Sequence, residues 1–130
     1  MTGYEIAGLW IGLNVLLMAI LKGAVGRTRA RTKVDFGAGE NEQMLRMMRV
    51  QGNAVEDVPA SLIAIGALAF LSAPTMLLHG LGGALFVSRV LHATGLGGKG
   101  GASIGRVAGT IGSVLVLLIS SISCIWFAVT

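Results

Sequence analysis

The sequence predicts an all-α integral membrane protein, a bundle of four transmembrane helices, and three observations carry that prediction. Of the 130 residues, 54% are hydrophobic and only 12% are charged, with a mean hydropathy of +0.80, against roughly 25% charged residues in an ordinary soluble domain. The apolar residues fall into four long stretches, and four spans of about 20 residues each use most of the chain as a single domain over residues 1–130. Half of the ten cations lie in two stretches between these spans without interleaved aromatics, which reads as topology and ligand contact and excludes a nucleic-acid surface. The lone cysteine, Cys124, excludes an intrachain disulfide and a cysteine-rich metal site. With no acid, base or histidine nearby in sequence, it reads as a small apolar filler.

The first span is expected over about residues 6–25. The chain opens on Tyr4 and Glu5 rather than a basic segment, which predicts a retained helix and not a cleaved leader. Lys22 near its end can snorkel to the headgroups. Gly8 and Gly12 form a small-xxx-small pair suited to close helix approach, and Asn14 suggests an interhelical hydrogen bond. Arg27, Arg29, Arg31 and Lys33 then predict a polar loop of roughly a dozen residues on the cytoplasmic side, placing both termini outside.

Glu40, Asn41 and Glu42 predict the start of the second helix, with acids against the positive end of its dipole and a span over about residues 43–71. Its opening half carries the densest polar cluster in the chain. At about 100° per residue, Arg46, Arg49, Asn53 and Glu56 share a sector of roughly 80°, with Asp57 beside it and Gln51 about 160° from Arg49. A charge at the centre of a bilayer costs on the order of 2.5 to 3.5 kcal/mol on the most lenient scale. Such residues are therefore paired or functional. The plain structural reading is an internal salt-bridge network, but six polar groups exceed what packing requires. Gln51 on the opposed face suits a helix that serves two sites in a symmetric oligomer. Pro59 leaves the carbonyl near Val55 without its usual donor.

Ser72, Ala73 and Pro74 predict a tight turn into a third span over about residues 75–94, rich in small residues at Gly80, Gly82, Gly83 and Ala84. His79 near its outer end reads as an interfacial or packed histidine. Arg89 is expected to form a structural ion pair with Glu56 or Asp57. His92, three residues on, either contacts a ligand or caps the polar layer. LGGKGGASIG at 96–105, with Lys99, lacks the strand, spacing and Lys-Ser or Lys-Thr pair of a phosphate loop. Ser103 is expected to cap a fourth helix over about residues 104–129, with Gly105, Gly109 and Gly112 on a close-packing stripe. Arg106 in its first turn opposes the helix dipole and calls for an external partner, most simply an anion.

RVQGNAVEDVP at 49–59 resembles the second-helix signature of the MAPEG family, the membrane-associated proteins in eicosanoid and glutathione metabolism. RVLHATG at 89–95 and RVAG at 106–109 are similar to the third-helix end and fourth-helix start of bacterial members. The resemblance implies a homotrimer of four-helix subunits that binds glutathione as co-substrate between neighbours near the cytoplasmic surface. It carries glutathione contacts onto Arg49, Asn53 and Glu56, with Gln51 and an arginine after the first helix reaching in from the adjacent subunit. For that arginine Arg29 is chosen among Arg27, Arg29 and Arg31. Arg46 and His92 complete the candidate set. The chemistry of these residue types agrees, since arginines pair with the two carboxylates of glutathione and Glu56 with its amine.

Arg106 matches the arginine that stabilises the glutathione thiolate in the family. The implied activity is a glutathione-dependent transferase or peroxidase, in which the thiolate attacks a lipophilic electrophile or reduces a lipid hydroperoxide. Where characterised eukaryotic members carry tyrosines, this chain has Asp57, His92 and Leu96. That departure supports the alternative of a non-catalytic lipid-binding or scaffold protein of the same fold. A proton or ion pathway through Glu56, Asp57, Arg89 and His92 is disfavoured, because the outer halves of the spans hold almost no ionisable residue. The expected setting is a bacterial inner membrane, with self and lipids as partners and no metal or nucleic acid.

Overall fold

Each apolar stretch forms a helix long enough to cross a bilayer. The computed structural model describes residues 1–97 and 103–130. It contains α1 (Gly3–Thr32), α2 (Glu42–Phe70), α3 (Thr75–Gly97) and α4 (Ile104–Val129), with no strand among the described residues. At about 1.5 Å per residue, even α3 with its 23 residues is roughly 35 Å long, enough for a hydrocarbon core of about 30 Å. All four meet the length and hydropathy of a membrane span.

The starts of the helices follow from their caps. Thr2 and Glu5 form a capping box at α1, the Thr2 amide donating to the Glu5 carboxylate at 2.8 Å. Asn41 caps α2 by accepting from the Met44 amide at 2.9 Å, and Ser103 caps α4 by accepting from the Arg106 amide at 3.2 Å.

The end of α1 differs from the sequence expectation. The loop expected from Arg27 onward is helical to Thr32, so Arg27, Arg29 and Arg31 stand on the helix and the connection is residues 33–41. Arginine and alanine are good helix formers, and cations in the last turn suit the dipole. The Thr28 and Thr32 hydroxyls donate to the carbonyls of Ala24 and Thr28, each at 2.9 Å. Lys33 closes the helix in the left-handed region at φ 54°. The third helix likewise runs three residues past the expected 94, to Gly97. Lys99 lies outside the described residues.

Consecutive helices run antiparallel, so the ends of α1 and α3 and the starts of α2 and α4 share one end of the bundle, here called the basic end. Every helix pair packs together except α1 and α4, which make no contact among the described residues. The core runs between α1, α2 and α3 through Ile6, Val58, Leu62, Ile65, Leu78 and Leu85, with Val116 reaching in from α4. Large apolar side chains such as Ile63, Leu118, Ile122 and Ile125 face outward, as a bilayer requires.

Glycines set two close approaches. A Cβ at Gly82 would overlap the Trp10 side chain, and one at Gly83 would sit 3.2 Å from it. Trp10 fills that notch and its Nε1 donates to His79 Nδ1 at 3.1 Å. On the other side a Cβ at Gly109 would overlap the Ser88 carbonyl, and one at Gly105 would stand 3.0 Å from the Leu91 carbonyl. The expected stripe on α4 therefore packs on α3. Gly8 and Gly12 behave otherwise: nothing lies within 4 Å of a Cβ at either, so the close approach expected there is not made among the described residues. Asn14 also differs, because its amide donates to the Trp10 carbonyl of its own helix at 2.9 Å and its buried Oδ1 has no partner among the described residues. The Cys124 thiol donates to the Ala64 carbonyl at 3.3 Å.

Candidate functional site

At the basic end the polar groups gather where α2, α3 and α4 meet. Arg89, on α3, is 2% exposed. Its Nη1 lies 3.0 Å from Asp57 Oδ2 and donates to the Asn53 carbonyl at 3.2 Å. Nη2 donates to the Gly109 carbonyl on α4 at 3.1 Å. One guanidinium thus ties three helices, and of the two acids left open by the sequence it is Asp57 that pairs with it. Asp57 sits at the α3 edge of the polar sector of α2, whereas Glu56, 100° further round, points outward and is exposed.

His92 is buried beside this group, with Nε2 at 3.0 Å from Asn53 Nδ2. In the arrangement where the amide nitrogen donates, the ring accepts at Nε2 and Asn53 Oδ1 is left to accept from a ligand. Histidine here serves the polar layer and orients Asn53.

Above this layer lies a recess of about 250 Å³ lined by Arg49, Asn53, Leu96 and Arg106. Both arginines are exposed, and neither guanidinium has a hydrogen bond or ion pair with a described residue. The Asp57 carboxylate is paired with Arg89 and so does not offset these cations. The start of α4 adds the positive end of its dipole at Arg106. Two uncompensated guanidiniums, an amide and a helix start make a recess whose chemistry fits an anion.

The other candidate residues fall elsewhere. Gln51 lines a separate recess of about 390 Å³ between α1 and α2, together with Lys22, Val15, Met18 and Val55. Its opposed position on α2, read from helical spacing, therefore has a structural counterpart. Arg46 pairs with Glu42 one turn earlier at 2.5 Å. Arg29 donates from Nη1 to the carbonyls of Val34 at 2.7 Å and Gly37 at 3.3 Å, fastening the α1–α2 connection. Within one chain neither Arg29 nor Arg46 reaches the Arg49–Arg106 recess. No group of three or more His, Cys, Asp or Glu among the described residues is arranged to hold a metal ion.

Two features of the site escape a reading by residue type. Lys22 reads as a snorkelling lysine, yet it shares a recess with Gln51. The acceptors that fix Arg89 are the main-chain carbonyls of Asn53 and Gly109, and every residue has a carbonyl.

Four bilayer-length helices define an integral membrane protein, and a cationic recess lies at the end where the basic residues collect. The chain belongs to the MAPEG family, whose profile matches residues 7–126. It is similar to the inner membrane protein YecN of Escherichia coli strain K12, at 28% identity over 87 residues. The counterpart in Escherichia coli O6:H1 gives the same values. The aligned segment covers 67% of this chain and 66% of those relatives, just under two thirds of their length. No solved structure matches the chain significantly.

Proposed function

We propose that this protein is a glutathione-dependent membrane transferase or peroxidase, working in a bacterial inner membrane with its basic end toward the cytoplasm. One observation carries this reading: Arg49 and Arg106 face one recess with Asn53, and no described carboxylate pairs with either. In this reading Arg49 and Asn53 hold a carboxylate and the peptide groups of glutathione in the recess, and its ammonium reaches out of the recess to the exposed Glu56, three residues from Asn53 on α2. Arg106 faces the sulfur. A thiol with a free pKa of about 8.5 is mostly protonated at neutral pH, and each unit of lowering corresponds to about 1.4 kcal/mol of thiolate stabilisation. A guanidinium in a partly dry recess can supply one or two such units. The thiolate then attacks a lipophilic electrophile, or the oxygen of a lipid hydroperoxide, arriving from the bilayer.

The recess of about 250 Å³ is smaller than the roughly 300–1,000 Å³ usual for small-molecule sites. In the proposed homotrimer the Gln51 face of the adjacent copy supplies the second wall. Gln51, with Lys22 of α1 beside it, stands on a flank of α2 different from that of Arg49, as a head-to-tail ring contact requires.

A second reading, a non-catalytic lipid-binding protein of the same fold, is favoured by an apolar groove of about 670 Å³ between α3 and α4. Leu77, Leu81, Leu115, Val116 and Ile119 line it, a surface suited to acyl chains.

The deciding experiment is calorimetry of glutathione binding to the detergent-purified protein, with thiolate absorbance followed across pH. The wild type is expected to bind and to form thiolate below the pH at which free glutathione ionises. Arg49→Ala is expected to weaken binding by about tenfold or more, the scale of a lost charged hydrogen bond. Arg106→Ala is expected to bind with the thiol protonated, so that thiolate absorbance moves to higher pH. Absence of wild-type binding at millimolar glutathione would exclude the enzymatic reading and leave the lipid-binding one.

A further inference from the structure

Arg89 touches nothing in the recess, yet it holds both of the recess walls. Its Nη1 bonds the main chain of Asn53, a lining residue on α2, and its Nη2 bonds the main chain of Gly109, one turn beyond Arg106 on α4. We propose that Arg89 is a positioning residue that fixes the spacing of Arg49 and Arg106 through these two carbonyls, an inference that rests on reading the recess as the glutathione site.

Three observations support it. A guanidinium is planar and rigid, so acceptors bound to its two terminal nitrogens are held at a set separation, which a lysine ammonium on a flexible stem does not impose. The Gly109 carbonyl also accepts from the hydroxyl of Ser113, one turn further along α4, at 2.9 Å, so the acceptor that Arg89 bonds is itself held within its own helix. Arg89 reaches that carbonyl only because α3 and α4 approach closely there, where a Cβ at Gly109 would overlap Ser88. The pairing with Asp57 adds a second effect. It cancels a carboxylate that would otherwise repel an anion in the recess. A guanidinium 2% exposed, with Nε unpartnered among the described residues, is an expensive way to fill space.

Charge cancellation and carbonyl spacing separate by substitution. Arg89→Lys keeps a cation beside Asp57 and cannot span both carbonyls. The double variant Arg89→Met with Asp57→Asn removes both charges with each side chain near its original volume, and strands neither member of the pair as a lone buried charge. For each, thermal unfolding, glutathione affinity and thiolate titration are measured. Spin labels at Leu45 on α2 and Ala108 on α4, in a Cys124→Ser background diluted with unlabelled chain, report the distance between the walls. Both variants are expected to stay folded, to lose about tenfold in affinity, to shift thiolate formation toward the pH of free glutathione, and to broaden the label distances. If the double variant does not fold, Arg89→Lys alone carries the test. Wild-type affinity, titration and distances in the folded variants would overturn the proposal and leave Arg89 a packing element. The label distances need no ligand. A wild type that binds no glutathione therefore sinks the functional reading while the distances still judge the spacing role.

Discussion

The two ends of the bundle are held together by different means. At the end near His79, α1 meets α3 through shape: Trp10 drops into the notch of Gly82 and Gly83, and one hydrogen bond to His79 fixes the ring. At the basic end α2, α3 and α4 meet through one buried arginine, its carboxylate and two main-chain carbonyls. Apolar packing fixes helices equally well and at less desolvation cost. The polar joint has another effect: by using Asp57 internally, it leaves Arg49 and Arg106 as cations facing an open recess. The shape-held end joins two helices, and the polar-held end joins three while leaving two guanidiniums without a described counter-charge.

That contrast can be broken at several points. The largest effect is expected from Gly109→Val, because the added atoms would meet the main chain of Ser88 and His92 rather than a flexible side-chain tip. Overpacking of this kind costs about 3 kcal/mol, so the thermal midpoint should fall steeply and glutathione binding should vanish with it. Trp10→Ala should cost about 2 kcal/mol, less than a fully buried tryptophan because the ring is only half-buried. It should leave glutathione affinity intact, and a parallel loss of affinity would show that the two ends are coupled. Arg29→Ala should cost about 1 kcal/mol by freeing the Val34 and Gly37 carbonyls. Hydrogen exchange in residues 33–41 should rise; a fall in glutathione affinity as well would mark Arg29 as the contact from a neighbouring copy. The mildest test is salt, which screens exposed charges. Higher ionic strength should weaken anion binding at Arg49 and Arg106 severalfold and leave the fluorescence of Trp10, in a Trp126→Phe background, unchanged.

The spans were legible because apolar runs of bilayer length have few alternatives in a chain of this composition. The end of α1 was not, because arginine and alanine suit a helix as well as a cytoplasmic loop, and only the back-bonding of Thr28 and Thr32 shows which holds. Small-residue spacing has the same limit. Gly105 and Gly109 meet α3, while Gly8 and Gly12, with equally suitable spacing, meet nothing among the described residues. The pattern says that close approach is possible and not by whom. At the site, helical angles put Arg49, Asn53 and Glu56 on one face, and the fold turns Arg49 and Asn53 toward Arg106. Glu56 and Asp57 could not be told apart as partners of Arg89 from angles alone, since both border the same sector and the position of α3 decides between them.

The placement of Arg89 also orders how the chain can be built into a membrane. An arginine entering the hydrocarbon layer alone is opposed by on the order of 2.5 to 3.5 kcal/mol. Its counter-charge, Asp57, lies on α2, the preceding helix, which residues 71–74 alone join to α3, so the partner is in place as Arg89 arrives during synthesis. Gly109 comes last. The central hairpin of α2 and α3 can therefore neutralise itself first, and the arrival of α4 completes the second bond of the guanidinium and with it the far wall of the recess.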